Sequence, residues 1–164
     1  MRIVFDSSTL ILLAKIDMLR DVTLQTKAAI PKKVEQEVLA KKTPDAELAR
    51  LLIHEGRLEV IQVRKEVVRK LAEDFRLHAG EAEALALAID LLAPLAVDDG
   101  PTIKACKLVG RPFLTAIHFL IHIAGTDRIS RAIALEKLNQ LSIYGRYKGR
   151  IIEDAARRIK GDHQ

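Results

Sequence analysis

A single cysteine, Cys106, excludes an internal disulfide framework and a cysteine-based zinc site, and makes a reducing compartment the default. Aromatic residues are also scarce: four Phe, two Tyr and no Trp. The hydrophobic content of 49% therefore rests on Leu, Ile, Val and Ala, which points to packed helices around a small sheet and excludes a disordered chain. No run approaches the roughly 20 apolar residues that span a bilayer. Ile3-Val4-Phe5 meets Asp6, and Leu10 to Leu13 is followed by Lys15 and Asp17, a pattern that also argues against a signal peptide. The expectation is a soluble, cytoplasmic protein. Gly-rich phosphate loops, linkers, low-complexity tracts and repeats are all missing, so the 164 residues read as one domain.

What is present alternates between two patterns. Arg2 to Asp6, Lys27 to Ile30, Leu58 to Val63, Leu95 to Val97 and Pro112 to Leu114 are short apolar runs suited to buried strands. Between them lie helical stretches: Leu10 to Leu19, a segment starting near Pro31, Pro44 to about Glu55, Lys65 to Phe75, Glu81 to Leu92 and Thr102 to Val109. The Ala- and Leu-rich helix after Gly80 is expected at the centre. From Thr115 onward the chain reads as helical, with breaks near Gly125 and Gly145. Strands alternating with helices imply an α/β fold, with a parallel sheet covered on both faces as three α/β/α layers.

Chemistry in such open sheets gathers at the carboxyl ends of the strands, and that is where the acids fall. Asp6, Glu37, Glu81, Glu83, Asp98 and Asp99 stand at strand ends or helix beginnings. Carboxylates brought together repel one another, and Mg²⁺ or Mn²⁺ removes that repulsion. Such ions orient a phosphodiester and lower the pKa of an attacking water. Each acid also has an ordinary alternative. Asp6 before Ser-Ser suits a helix cap, Glu37 a solvated helix face, Glu81 and Glu83 first-turn acids answering a helix dipole, and Asp98-Asp99-Gly100 a turn. The order and placement of all six together carry the metal-site reading.

That order resembles the PIN-domain superfamily, in the branch whose central helix begins Gly-Glu-x-Glu-Ala. Val4-Phe5-Asp6-Ser7-Ser8 is similar to the opening strand, and Pro31 through Val34 to Glu37 to the Pro-x-x-Val-x-x-Glu stretch. Gly80-Glu81-Ala82-Glu83-Ala84 is similar to the third region, Val97-Asp98-Asp99 to the fourth, and Gly110 to Thr115 to the last strand with its Thr. Gly100-Pro101 departs from the basic residue that often follows the fourth acid. The resemblance covers about residues 1–125, leaving 126–164 as a helical C-terminal extension. It implies a sheet in the order 3-2-1-4-5 and one or two Mg²⁺ or Mn²⁺ ions. It also implies endoribonuclease activity on single-stranded RNA, often a homodimer, and in toxin-type relatives an antitoxin partner.

On this resemblance Asp6, Glu37, Glu83 and Asp99 are the catalytic acids, with Glu81 and Asp98 as further metal ligands and Ser8 and Thr115 in support. Glu81 and Glu83 lie about 200° apart around a helix, so both cannot face one ion equally, and either remains open as the main ligand. In the tail, Arg146, Lys148 and Arg150, near Tyr144 and Tyr147, are candidates for binding nucleic acid, consistent with a net charge of +5. A solvated helix is the plainer reading of that tail. His118 and His122 are four apart but lack the intervening Glu of a zinc-protease motif, so they are expected as packed or interfacial residues. The competing functions are a non-catalytic PIN-like module binding RNA or a protein partner, and a phosphatase or phospho-acceptor domain. The latter is disfavoured because Ser8 stands where a haloacid-dehalogenase-like enzyme needs Asp, and because the acid order is wrong for a response regulator.

Overall fold

A computed structural model describes residues 1–161. The chain runs β1 (Arg2–Phe5), α1 (Ser7–Lys15), α2 (Leu19–Gln25), β2 (Lys27–Pro31), α3 (Lys32–Leu39), α4 (Pro44–His54) and β3 (Leu58–Ile61). It continues through α5 (Lys65–Phe75), α6 (Ala79–Asp90), β4 (Leu95–Ala96), α7 (Gly100–Val109) and β5 (Phe113–Leu114). Three helices follow: α8 (Ala116–Ala124), α9 (Arg131–Tyr144) and α10 (Gly149–Lys160). Five parallel strands form one sheet in the order β3-β2-β1-β4-β5, as the motif order implied.

The central strand is buried because Ile3, Val4 and Phe5 have no polar alternation to offer solvent. Its register with β4 pairs Val4 with Leu95 and Phe5 with Ala96. The next residues, Asp6 and then Val97-Asp98-Asp99, therefore emerge side by side at the carboxyl edge. Right-handed crossovers place α1 to α4 on one face and α5 to α7 on the other. A crossover helix runs against the strands it joins, so the first turn of α6 also stands at that edge. Helix α6 buries Gly80, Ala82, Ala84, Leu85, Ala86, Leu87 and Ala88, and packs on β1, β2 and β4. Its small residues let it lie close to the sheet.

Two departures from the sequence reading have local causes. Helix α1 starts at Ser7 rather than Leu10, because the Asp6 side chain caps it by accepting from Ser8 N. It ends at Lys15 because Asp17 takes a left-handed conformation, φ 57°, which separates it from an unforeseen helix α2. Helices α9 and α10 pack on the rest of the chain. Ala134, Leu138, Leu141, Ala155 and Ile159 join the same buried apolar cluster as the sheet, with α9 against α8 and α1. No described helix is long and apolar enough to cross a membrane.

Candidate metal-binding acid site

Asp6 is 1% exposed at the end of β1. Its Oδ2 accepts from Ser8 Oγ at 2.8 Å and from Ser8 N at 3.4 Å. Its Oδ1 is buried and has no hydrogen-bond partner. Burial pushes its pKa up to about 6 against the lowering effect of Ser8, and the Glu81 carboxylate raises it further. An unpartnered buried carboxylate oxygen is costly.

Glu81 feels the charges of acids from other segments. It sits in the first turn of α6, and its Oε2 accepts from His78 N at 3.1 Å, half of a capping box. Desolvation raises its pKa, and Asp99 and Glu37 raise it further. Asp6, Glu37 and Asp99 are thus all close enough to Glu81 for their charges to be felt, although they come from three other segments. Glu37, on α3, packs against Gly80. A Cβ on that glycine would stand 2.6 Å from Glu37 Oε1, so only glycine leaves the carboxylate its place. Asp99 caps α7, its Oδ2 accepting from Thr102 N at 3.0 Å and Thr102 Oγ1 at 2.7 Å.

The remaining two acids have other surroundings. Glu83, expected among the catalytic acids, has its pKa raised by desolvation, with the Glu37 carboxylate adding to the rise and the backbone N–H and ammonium of Lys33, at the start of α3, opposing it. Asp98, expected among the metal ligands, has both oxygens engaged. Oδ2 accepts from Thr9 Oγ1 at 2.6 Å and Ala116 N at 3.1 Å, and Tyr147 donates its hydroxyl to Oδ1. These donors hold down a pKa that burial raises. Asp98 thereby ties α1, β4, the start of α8 and the α9–α10 loop together.

The supporting residues are likewise committed to protein partners. Ser8 Oγ donates to Asp6 and accepts from Asp98 N at 3.0 Å, bracing the ends of β1 and β4. Thr115 N donates to His118 Nδ1 at 2.9 Å, and the Thr115 hydroxyl lies 3.0 Å from the same nitrogen. Of the tyrosines, Tyr147 is fastened to Asp98 instead of standing free for a base, while Tyr144 is exposed with Lys15 Nζ 5.0 Å above its ring. Sequence reading missed the contacts of Thr9 and Tyr147 with Asp98, because neither residue lies near it in the chain. The Asp99–Thr102 cap was legible in principle from its spacing of three.

Whether these acids suit a divalent cation is a question of donor chemistry. Among the described residues, no three His, Cys, Asp or Glu groups already converge as a ligand sphere, so binding requires the carboxylates to turn inward. In other respects the set fits. It is all oxygen, it includes one buried oxygen with nothing to bond, and it has Glu81 feeling the charges of Glu37 and Asp99.

A family model described as PIN domain matches residues 2–158. The chain belongs to the PIN-domain family. PIN domains are generally nucleases and typically use divalent metal ions. No curated protein sequence matches the chain. Among solved structures, this PIN domain is similar to one chain of VapBC2 from Rickettsia felis bound to a DNA fragment from their promoter. The identity is 19% and the TM-score 0.42, over 70% of this chain and 98% of that one, a likeness too distant to bear on activity.

Proposed function

We propose that this PIN-domain protein is a metal-dependent endoribonuclease that hydrolyses single-stranded RNA. Asp6, Glu37, Glu81 and Asp99 would hold one or two Mg²⁺ or Mn²⁺ ions. The observation that carries the reading is the buried, unpartnered Asp6 Oδ1, in a carboxylate that also feels the charge of Glu81. When bound, such an ion polarises the phosphodiester and lowers the pKa of the attacking water. The chain supplies geometry. Asp99 and Glu81 are fixed by the helix starts they cap, and Gly80 leaves room for Glu37. Ser8 is spent between Asp6 and Asp98, which leaves water rather than a serine as the nucleophile. In this assignment Glu83 is a flanking residue, and Asp98 orders the site without holding the ion.

The test pairs metal binding with cleavage. Mn²⁺ is expected to raise the melting temperature of the wild type and to support cutting of labelled single-stranded RNA. Asp6→Asn and Asp99→Asn should each lower that cutting by about a thousandfold or more while the fold survives. Unchanged cleavage by both variants refutes the site. RNA bound but uncut, with no response to Mn²⁺, would make the protein a non-catalytic binding module instead. The family reading further proposes a homodimer, an antitoxin partner and a cytoplasmic location. Native mass spectrometry of the purified protein tests the homodimer.

A further inference from the structure

The loop between α9 and α10 reaches Asp98, the chain neighbour of Asp99, through one side chain. Tyr147 is half-buried, its hydroxyl donates to Asp98 Oδ1, and burial together with the Asp98 charge pushes its pKa up, so it remains a donor. Gly145 makes room for the ring: a Cβ there would lie 2.9 Å from both Tyr147 Cδ2 and the Leu141 carbonyl oxygen. On either side of this tether stand Arg146 and Lys148, both exposed, and exposed Arg150 lies in the first turn of α10. None of the three forms an ion pair with a described residue. Farther along α10 the pattern differs. Arg157 and Arg158 both reach Asp154, at 3.5 and 3.0 Å.

We propose that Tyr147 is a positioning residue that holds Arg146, Lys148 and Arg150 beside the acid site as a backbone-binding wall for single-stranded RNA. This rests on the ribonuclease reading above. A tyrosine side chain, its hydrogen bond and one Cα step span about 13 Å, so the backbone at 146 and 148 stays within that reach of the Asp98 carboxylate. Asp98 in turn is the chain neighbour of Asp99. A polyanion approaching four carboxylates is repelled, and cations fixed at the rim offset that repulsion where the strand must enter. Without the tether the same cations would sit on an untied loop, and each binding event would have to order it.

The experiment measures binding apart from cutting. Fluorescein-labelled single-stranded RNA of mixed sequence is titrated with protein in EDTA across a series of KCl concentrations, and cleavage of the same RNA is then followed with Mn²⁺. Arg146→Gln combined with Lys148→Gln should reduce the slope of log affinity against log salt by about 1.4, two single-strand phosphate contacts. Tyr147→Phe should weaken binding about fivefold and raise KM in proportion, with a smaller fall in kcat. Affinity and slope unchanged in both variants would overturn the proposal. So would a Tyr147→Phe enzyme that loses kcat at constant KM, since the hydroxyl would then serve the acids alone. If Tyr147→Phe folds poorly, the double glutamine variant still decides. Wild-type protein that binds RNA with the expected slope but never cuts it supports the wall and overturns the nuclease reading. Cutting with binding unaltered by either variant does the reverse.

Discussion

Asp98 and Asp99 are adjacent in the chain and belong to different regions of the molecule. Asp98 sits in a knot of donors from Thr9, Ala116 N and Tyr147, which draws four segments together. Asp99 and Glu37 each raise the pKa of Glu81, Glu81 raises that of Asp6, and Asp6 Oδ1 has no partner. A carboxylate supplied with donors contributes to the fold. One left short of donors among other carboxylates is costly until a cation arrives. The contrast separates structural acids from candidate ligands where spacing cannot, and a second division on α6 sets Glu83, with Lys33 beside it, apart from Glu81, which feels Asp99.

The largest expected effect tests that second division. Glu81→Gln should lower Mn²⁺-dependent RNA cleavage about a hundredfold or more, and Glu83→Gln no more than a few-fold. Equal losses in single-turnover rates would erase the distinction between the pocket and its flank. Next comes the knot. Asp98→Ala strands three buried donors and should cost about 2–4 kcal/mol of stability in a urea titration. The stabilisation gained on adding Mn²⁺ should survive in that variant. Its disappearance would move Asp98 into the ligand set.

The pH dependence of the metal-free protein sharpens the other side. Asp6 has a folded pKa of about 6 against an ordinary value of 3.8, so the folded state holds its proton to higher pH than the unfolded chain does. That contribution is fully present below pH 4 and is lost as the pH rises through 6. Asp6→Asn cannot make the loss. In EDTA it should match the wild type's trend at low pH and gain about 3 kcal/mol relative to it above pH 7. With saturating Mn²⁺ the order should invert. Parallel stability curves in EDTA would show that Asp6 is not held neutral. The smallest effect is at Gly80→Ala. The new methyl displaces the Glu37 carboxylate, the movable end of a side chain, so the fold should stay within about 1 kcal/mol. The Mn²⁺ concentration giving half-maximal thermal stabilisation should rise about tenfold. An unchanged midpoint would remove Glu37 from the pocket.

Much of the fold was legible because its signals are local. The apolar runs at Ile3-Val4-Phe5 and Leu95-Ala96 mark buried parallel strands, and Thr43-Pro44 marks the start of α4 with a capping hydroxyl and a proline in the first turn. The break after Lys15 was not legible. Leu10 to Leu19 keeps an apolar helical pattern, and a left-handed aspartate interrupts it. Within the site, the order of the motifs indicated which segments bring acids to the carboxyl edge. It did not indicate which way each carboxylate turns.

By itself the sequence determined the alternation of strands and helices, and with it the edge at which Asp6, Glu37, Glu81 and Asp99 come out. Periodicity and capping act over a few residues and need no distant partner. Only the tertiary structure decided that Asp98 is saturated and Asp6 is not, that Lys33 lies beside Glu83 while Asp99 is felt at Glu81, and that Tyr147 fastens the C-terminal loop to Asp98. A carboxylate's state depends on donors and charges brought from far along the chain, and folding alone sets those distances.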